Sequence, residues 1–312
     1  MHGIAQQAYK EIFSAMGCNF TVTVVADSHN EANSYIHLAQ QEINRIEKRI
    51  SSWDHHSETS AINNAAGIKP VVVSKELYNL IERSLFIAKL TDGAFDISYA
   101  AVDPLWEFDG ASSALPTDAT LQKALPAIGY ENIVLDRKTS SIFLKKAGMK
   151  IGFGAIGKGY AADKAKELLK SKGVIAGIIN ASGDMNTWGR QPNGKPWEIA
   201  IVNPLNKGHI FATLPLIEGA VVTSGDYEKF TLIDNKRRGH IINPKTGYPT
   251  KGLISVTVFA PQAELADALA TAIFVMGKEI GMDRIAQLPN VSCILIDNKG
   301  NISTSDNIKI NP

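Results

Sequence analysis

Residues 152–163 read Gly152-Phe-Gly-Ala-Ile-Gly-Lys-Gly-Tyr-Ala-Ala-Asp163, with four glycines in the first eight residues. The stretch leads into a predicted helix from about Gly159 to Lys172, which ends at Gly173, a residue typical of a C-cap. An apolar strand, Val174–Ile179, is predicted next. Glycines let the backbone approach a ligand closely, and the N-terminus of a helix attracts anions, so the stretch predicts a phosphate-binding turn. The alternative is a tight strand-to-helix turn that binds nothing.

Two known phosphate motifs match this stretch only in part. Gly152-x-Gly154-x-x-Gly157 fits a dinucleotide fingerprint, but the following strand ends in Asn180, with no acidic residue to bind a ribose. The spacing from Gly152 to Lys158 resembles a P-loop, but Gly159 stands where a Ser or Thr would reach the magnesium ion. The glycine-rich stretch alone therefore does not identify the ligand.

The pattern around this stretch predicts strands in runs that are broken by pairs of helices. In the first half we expect a strand at Phe20–Val25, helices over 31–50 and from Ser74 through Ala88, loops with short helical pieces over 91–130, and strands at Ile133–Leu135 and Ser141–Leu144. In the second half we expect strands at Trp197–Val202, His209–Leu216, Ala220–Thr223, Phe230–Ile233, Ile254–Phe259 and Val291–Ile296, and helices at Glu264–Met276 and Lys278–Gln287. Because strands and helices do not alternate strictly, the fold class is predicted as α+β rather than doubly wound.

Composition excludes several classes of protein. The 312 residues include 32 Lys and Arg against 31 Asp and Glu, and a net charge of +1 argues against a polyanion as the main partner. No apolar run reaches the length of a membrane span. The two cysteines, Cys18 and Cys293, form neither a disulfide framework nor a zinc site. These features predict a soluble protein of a reducing compartment.

Asp267-Ala-Leu-Ala-Thr271 lies within an apolar predicted helix. The i, i+4 spacing places the carboxylate and the hydroxyl on one face of the helix, and both are hard oxygen ligands that suit Mg²⁺. The alternative is a solvent-exposed Asp with a Thr bonded back to its own helix. Leu265, Leu269 and Ile273 indicate that much of the helix is buried, and a buried carboxylate needs a partner.

His240 precedes an Ile-Ile pair and a turn rich in Pro and Gly, which would hold the imidazole on a rigid backbone. A neutral imidazole is a common general base near neutral pH, although a surface histidine is an equally good interpretation of one residue among seven. Trp53 and Phe95 are candidates for stacking on a flat ring.

Taken together, these motifs resemble the ApbE family of FAD:protein FMN transferases. The order matches across nearly the whole chain: Met16-Gly17, Ser52-Trp53, Ser57-Glu58 with Asn63, Gly93-Ala-Phe-Asp96, Gly157-Lys-Gly-Tyr-Ala-Ala-Asp163, Ser182-Gly-Asp184, Thr223-Ser-Gly225, His240-Ile-Ile-Asn-Pro244 with Thr246-Gly247, and Asp267 to Thr271. Each motif is modest alone, but the ordered set is specific.

The resemblance implies a fold and an activity. The fold would be ApbE-like and T-fold-related, with mixed sheets and flanking helices, as a single catalytic domain over 1–312 whose two halves are intertwined around the FAD site. The activity would be Mg²⁺-dependent transfer of FMN from FAD to a Thr or Ser hydroxyl of a target flavoprotein, such as a reductase or a redox-pump subunit, with release of AMP. An FAD pyrophosphatase that yields FMN and AMP, and a non-catalytic FAD-binding protein, are the alternatives.

The resemblance also implies roles for individual residues. The residues implied to contact FAD are Met16, Trp53, Ala94, Phe95, Asp96, Gly152, Lys158 and Ile241. The implied Mg²⁺ ligands are the side chains of Asp267 and Thr271 and the backbone carbonyls of Ala155 and Ala270. His240 would take the proton of the incoming hydroxyl.

Two features depart from the family pattern. Many relatives carry an acidic residue where Gly152 stands, so one contact to FAD would be absent or made by the backbone. Relatives are often exported lipoproteins, whereas Met1–Ala15 contains no leader-like apolar stretch. We therefore expect a cytoplasmic location, with a periplasmic one as the alternative if a leader is missing from the sequence.

Overall fold

An eight-stranded antiparallel sheet forms the centre of the fold. The computed structural model describes residues 6–108, 116–202, 204, 210–227, 229–233, 236–306 and 308. In these ranges the strands, β1 to β15 in chain order, are Gln7–Ala15, Cys18–Ala26, Val71–Val72, Ile133–Asp136, Ser141–Leu144, Gly177–Ala181, Asp184–Trp188, Trp197–Val202, Ile210–Leu216, Gly219–Gly225, Phe230–Ile233, Lys236–Gly239, Leu253–Ala260, Ser292–Asp297 and Ile302–Thr304. The central sheet has the order β1-β2-β6-β7-β10-β13-β14-β15.

Helices cover one face of this sheet. In the same described ranges the α-helices, α1 to α7, are His29–Ile50, Glu58–Asn64, Lys75–Leu90, Asp118–Ala124, Gly157–Ser171, Ala263–Met276 and Lys278–Ala286. Helices α1, α5, α6 and α7 pack on the sheet, and α5 lies between α1 and α6. The β8–β9 hairpin packs on the opposite face.

Alternation along the strands explains this layering. On β2, Phe20, Val22 and Val24 belong to the main core beneath the helices, whereas Val25 belongs to the smaller cluster beneath the β8–β9 hairpin. On β10, Val222 belongs to the main core and Val221 to the smaller cluster. Because successive side chains of a strand point to opposite faces, an apolar strand between two layers supplies both cores.

Most of the predicted elements are confirmed. The helix predicted over 31–50 is α1, and Ser74 caps α3 by accepting a hydrogen bond from the N–H of Leu77 (3.3 Å). The α+β class is confirmed as well. Every strand pairing within the described residues is antiparallel, however, in contrast to the mixed sheets that the resemblance implied.

Several predicted boundaries move. Helix α5 begins at Gly157, two residues before the predicted start. The strand predicted at Val174–Ile179 begins at Gly177 instead, since there the chain comes so close to β2 that an added Cβ would lie 2.5 Å from the carbonyl oxygen of Thr23. His209, predicted to start a strand, and residues 109–115, predicted as part of a loop region, lie outside the described residues.

Three strands of the central sheet, β1, β7 and the short β15, have no counterpart in the sequence prediction. Strand β1 lies at the sheet edge, and each of its residues before Ala15 is at least partly exposed, so it lacks the apolar alternation by which a strand is recognised. Strand β7 buries the polar residues Asp184, Asn186 and Thr187. Within the described residues, no helix combines the length and the apolar character that a membrane crossing requires.

Candidate functional site

A cavity of ≈ 1310 Å³ opens where five segments meet. These segments are the β1–β2 turn, the loop after α1, the loop after α3, the glycine-rich stretch before α5, and the chain that follows β12. Ten of the residues singled out in the sequence line the cavity: Met16, Trp53, Ala94, Phe95, Asp96, Ala155, Lys158, His240, Ile241 and Thr271. The other three residues implied to form the site, Gly152, Asp267 and Ala270, are buried and absent from the lining.

Met16 reaches the cavity because it occupies a tight turn. Met16 and Gly17 connect β1 and β2 with φ angles of 53° and 71°, and Ala15 pairs with Cys18 across the turn. Two successive positive φ angles are typical of a type I′ hairpin turn. The glycine adopts this conformation without strain, whereas the methionine is held in it by the hairpin.

Trp53 offers the cavity an exposed aromatic ring. It lies in the loop after α1, and 76% of its surface is exposed, which is unusual for a tryptophan. Phe95 also borders the cavity but is only 1% exposed, so no face of its ring is available for stacking. Of the two aromatic residues expected to stack on a ligand, Trp53 alone is placed to do so.

Asp96 is buried and stabilises the loop around it. Its carboxylate accepts hydrogen bonds from the N–H and the hydroxyl of Ser98 (2.8 and 2.6 Å) and from the N–H of Tyr130 (2.9 Å). Burial raises the pKa of Asp96, while these donors oppose the rise. The Asp96 side chain therefore fixes the part of the wall that contains Ala94 and Phe95.

The glycine-rich stretch packs tightly against the loop after α3. The N–H of Gly152 donates to the carbonyl of Ile97 (2.9 Å), and a Cβ at this position would lie 3.1 Å from the Cβ of Ala100. At Gly154 an added Cβ would lie 2.6 Å from the hydroxyl oxygen of Tyr99. Close packing thus requires glycine at Gly154 and leaves little room for a larger residue at Gly152.

Lys158 lies in the first turn of α5 and lines the cavity. Its ammonium group forms an ion pair with the carboxylate of Asp184 on β7, and the side chains are 25% and 1% exposed. Burial raises the pKa of Asp184, while the charge of Lys158 and its hydrogen bond oppose the rise. The lysine singled out by the glycine-rich stretch is therefore already paired with a buried carboxylate.

Asp267 and Thr271 occupy successive turns of α6. Asp267 is 3% exposed, and its carboxylate accepts a hydrogen bond from the N–H of Gly159 in α5 (3.1 Å), while Thr271 borders the cavity. Among the described residues, no cluster of three or more His, Cys, Asp or Glu side chains is arranged to hold a metal. One carboxylate, one hydroxyl and nearby carbonyls still fit Mg²⁺, which often keeps few protein ligands and takes its others from phosphate and water.

His240 follows β12 and faces the cavity. Its backbone N–H and its Nδ1 both lie within hydrogen-bonding distance of the carbonyl oxygen of Lys229 (3.0 and 3.2 Å). A carbonyl only accepts hydrogen bonds, so Nδ1 carries the proton and Nε2 carries the lone pair. Burial lowers the pKa of His240 to about 4, and the positive charges of Lys158 and Lys229 act in the same direction. The imidazole is therefore neutral at pH 7.

Several cavity residues were not singled out in the sequence. Among them are Tyr99, Asp103, Trp106, Phe108 and Lys229. Trp106 stacks on Phe108 (6.2 Å between ring centroids), and Phe108 meets the ring of His240 edge to face (6.4 Å). The signal that could have indicated them is an aromatic pair within a Pro- and Asp-containing loop, which is weak without knowledge of the fold.

Known proteins resemble this chain over most of its length. A model of the ApbE family matches residues 16–295. An FAD:protein FMN transferase of Treponema pallidum is 33% identical over 286 residues, which cover 87% of this chain and 78% of that protein. One from Klebsiella pneumoniae is 30% identical over 298 residues, which cover 94% and 91% of the two chains. The crystal structure of the ApbE protein from Thermotoga maritima superposes with a TM-score of 0.89 at 32% identity, over 96% of this chain and 97% of that one.

Proposed function

The chain belongs to the ApbE family, and we propose from this membership that it transfers FMN from FAD to a Thr or Ser hydroxyl of a target protein, with AMP as the leaving group. Two relatives named FAD:protein FMN transferase are 33% and 30% identical over 78% and 91% of their length. In the cavity, the observation that best supports the activity is the neutral His240, whose Nε2 holds the lone pair.

His240 would act on the acceptor hydroxyl. As the hydroxyl oxygen attacks the phosphorus of the FMN half, its proton passes to Nε2, and the bond between that phosphorus and the oxygen bridging to AMP breaks. The hydrogen bond from Nδ1 to the carbonyl of Lys229 (3.2 Å) keeps the ring in this tautomer. The products are a phosphodiester between FMN and the acceptor, and AMP.

The Asp267 carboxylate and the Thr271 hydroxyl would bind Mg²⁺, with the carbonyls of Ala155 and Ala270 as further oxygen ligands. When bound, Mg²⁺ would stabilise the negative charge that develops on the pyrophosphate. The hydrogen bond from Gly159 N–H to Asp267 (3.1 Å) orients the carboxylate from the first turn of α5. Helix α5 thus presents Lys158 to the cavity and supports the proposed metal ligand at the same time.

Trp53 would stack on one of the ring systems of FAD, because its ring is exposed at the cavity edge. Met16, Ala94, Phe95, Asp96, Lys158 and Ile241 would complete the contacts with FAD. Gly152 would contribute through the shape of the wall only, because its N–H already donates to Ile97.

The activity is tested by incubating the protein with FAD, Mg²⁺ and a candidate acceptor, such as a redox-pump subunit. The expected result is an acceptor mass increase equal to FMN less one water, together with an equal amount of AMP. Free FMN and AMP formed equally with and without the acceptor would show a pyrophosphatase instead. FAD binding with no AMP formed in any assay would show a binding protein. The cytoplasmic location remains a prediction, which cell fractionation tests.

A further inference from the structure

The cavity carries more carboxylates than ammonium groups. Of the charged residues that line it in the described part of the chain, Glu47, Asp96 and Asp103 are acidic and Lys158 and Lys229 are basic. Asp184 and Asp267 add two carboxylates directly behind the wall, and the neutral His240 adds no positive charge. A site of this composition repels an anionic pyrophosphate unless a further cation is present.

Lys158 would be expected to supply the positive charge that attracts the pyrophosphate, because it lies in the first turn of a helix, where anions bind. Its charge is instead met by Asp184, which is 1% exposed. Asp184 cannot withdraw easily, since the tight turn at Ser182 and Gly183, with φ angles of 51° and 109°, joins its strand to β6. The N–H of Gly183 also donates to the side chain of Asn180 (2.8 Å).

Stabilisation of the fold does not account for Asp184. Its carboxylate is buried, with Lys158 as its ion-pair partner and the backbone N–H of Thr223 as a further donor. A buried ion pair is often no more stabilising than an apolar pair of similar size. The pair therefore indicates a role in the site.

We propose that Asp184 is a positioning residue that holds the charge of Lys158 against the cavity wall and so makes binding of the FAD pyrophosphate depend on a divalent cation. The inference rests on the proposed function, since it takes FAD as the ligand. In this proposal, Asp184 is the residue that couples the binding of FAD to the binding of the metal. Without the metal, Lys158 offers hydrogen bonds but no uncompensated positive charge.

The test measures the dissociation constant of FAD, by flavin fluorescence, in EDTA and in Mg²⁺. Asp184→Asn removes the carboxylate that meets the charge of Lys158 at the cavity wall, so FAD affinity in EDTA is expected to increase by about tenfold or more. The increase in FAD affinity on adding Mg²⁺ is therefore expected to be smaller in this variant than in the wild type. A variant that merely damages the structure would weaken binding in both conditions, so a gain in EDTA is specific to the proposed role.

Two variants serve as matched controls. Glu47→Gln removes the same charge from the cavity but frees no lysine, and its FAD affinity in EDTA is expected to change by less than about threefold. The double variant Lys158→Met, Asp184→Asn removes both members of the pair, and its affinity in EDTA is expected to show no gain over the wild type. An equal gain in Glu47→Gln, or a gain that persists in the double variant, would overturn the proposal.

The wild-type protein supplies a test that needs no variant. If Lys158 is compensated and the carboxylates of the wall repel FAD, FAD affinity in EDTA stays constant or rises as salt screens the repulsion, whereas a cationic site loses affinity as salt rises. A steep loss with salt would contradict the inference, as would an unchanged affinity in a folded Asp184→Asn protein. The proposed function fails in a different measurement, the absence of FMN on the acceptor and of AMP.

Discussion

Asp163 and Asp267 exchange helix caps between α5 and α6. Asp163 lies in the second turn of α5 and accepts hydrogen bonds from the first two N–H groups of α6, those of Ala263 and Glu264 (2.9 and 2.8 Å). Asp267 lies in the second turn of α6 and accepts one from Gly159 in the first turn of α5 (3.1 Å). Neither helix has a side-chain cap from its own preceding residue. These hydrogen bonds fix the position of the glycine-rich stretch relative to Asp267, the proposed metal ligand.

Replacing Asp163 by Ala removes both caps of α6. Since one N-cap contributes about 1 kcal/mol, the free energy of unfolding is expected to fall by about 2 kcal/mol, measured by urea denaturation. The apparent affinity for Mg²⁺ in the transfer assay is expected to fall as well, because α6 carries Asp267. Ser74→Ala, which removes the cap of α3, is the control: it should lower stability but leave the Mg²⁺ requirement unchanged. Equal Mg²⁺ affinity in both variants would contradict the proposed coupling.

Asp163 also predicts a pH dependence of stability. Burial raises the pKa of Asp163 from 3.8 to about 6, although its backbone donors oppose the rise. Between these two values the folded state binds more protons than the unfolded state, so this group's contribution to stability is present below pH 4 and is lost as pH rises through 6. The loss is at most about 3 kcal/mol.

The check compares the wild type with Asp163→Asn, which cannot titrate. Urea denaturation at intervals from pH 4 to 7 should show a smaller loss of stability with rising pH in the variant. Identical slopes in the two proteins would show that Asp163 has an ordinary pKa in the folded state.

Gly159→Ala tests the contact between α5 and α6. An added Cβ would lie 2.2 Å from the carbonyl oxygen of Ala263 and 2.8 Å from the nitrogen of Glu264, and backbone atoms cannot move aside cheaply. We expect a loss of about 1–3 kcal/mol, although alanine is otherwise the better helix former. Gly281→Ala in α7 is the matched control, since its Cβ would meet the side chain of Ile273, and the loss there should be smaller. Similar losses would argue against the packing described.

His240→Ala should abolish FMN transfer while FAD still binds. Loss of a general base lowers the rate by about 10²–10⁴-fold, which the yield of AMP and of modified acceptor measures. Because burial lowers the pKa of His240 to about 4, protonation should reduce the wild-type rate only as pH falls toward 4, with no inflection near 6.5. His56→Ala, at an exposed position, should behave like the wild type. Full transfer activity in His240→Ala would remove the base assignment and leave the family assignment intact.

Trp53→Ala should weaken FAD binding without lowering stability. The side chain is 76% exposed, so its removal should change the free energy of unfolding by less than about 0.5 kcal/mol. Loss of stacking should raise the dissociation constant of FAD by about 3–10-fold. Phe86→Ala removes a similarly exposed aromatic ring (67%) that is absent from the cavity lining, and it should leave FAD binding unchanged. An unchanged FAD affinity in Trp53→Ala would exclude the stacking role.

Local patterns were sufficient to predict most elements. The apolar periodicity of α1 and the cap at Ser74 are properties of neighbouring residues, and the structure confirms both. Edge strand β1 was missed because exposure on both faces removes the alternation, and β7 because its buried residues are polar. In β1 the hydrogen bonds of the hairpin with β2, and in β7 those to β6 and the distant β10, decide the structure rather than local propensity.

The sequence by itself determined the types of residue present and the order of the motifs, and these were enough to indicate the family and ten of the residues that line the cavity. Only the tertiary structure decided which charged side chains form ion pairs and which cap a helix. Lys158 pairs with Asp184 because the hairpin of β6 and β7 lies beneath the start of α5, and Asp163 caps α6 across a hundred residues of chain. Burial and long-range contacts set the protonation of His240 and the net charge of the cavity. Neither is a property of residue spacing, since each depends on groups that are distant in the chain and close only in the folded protein.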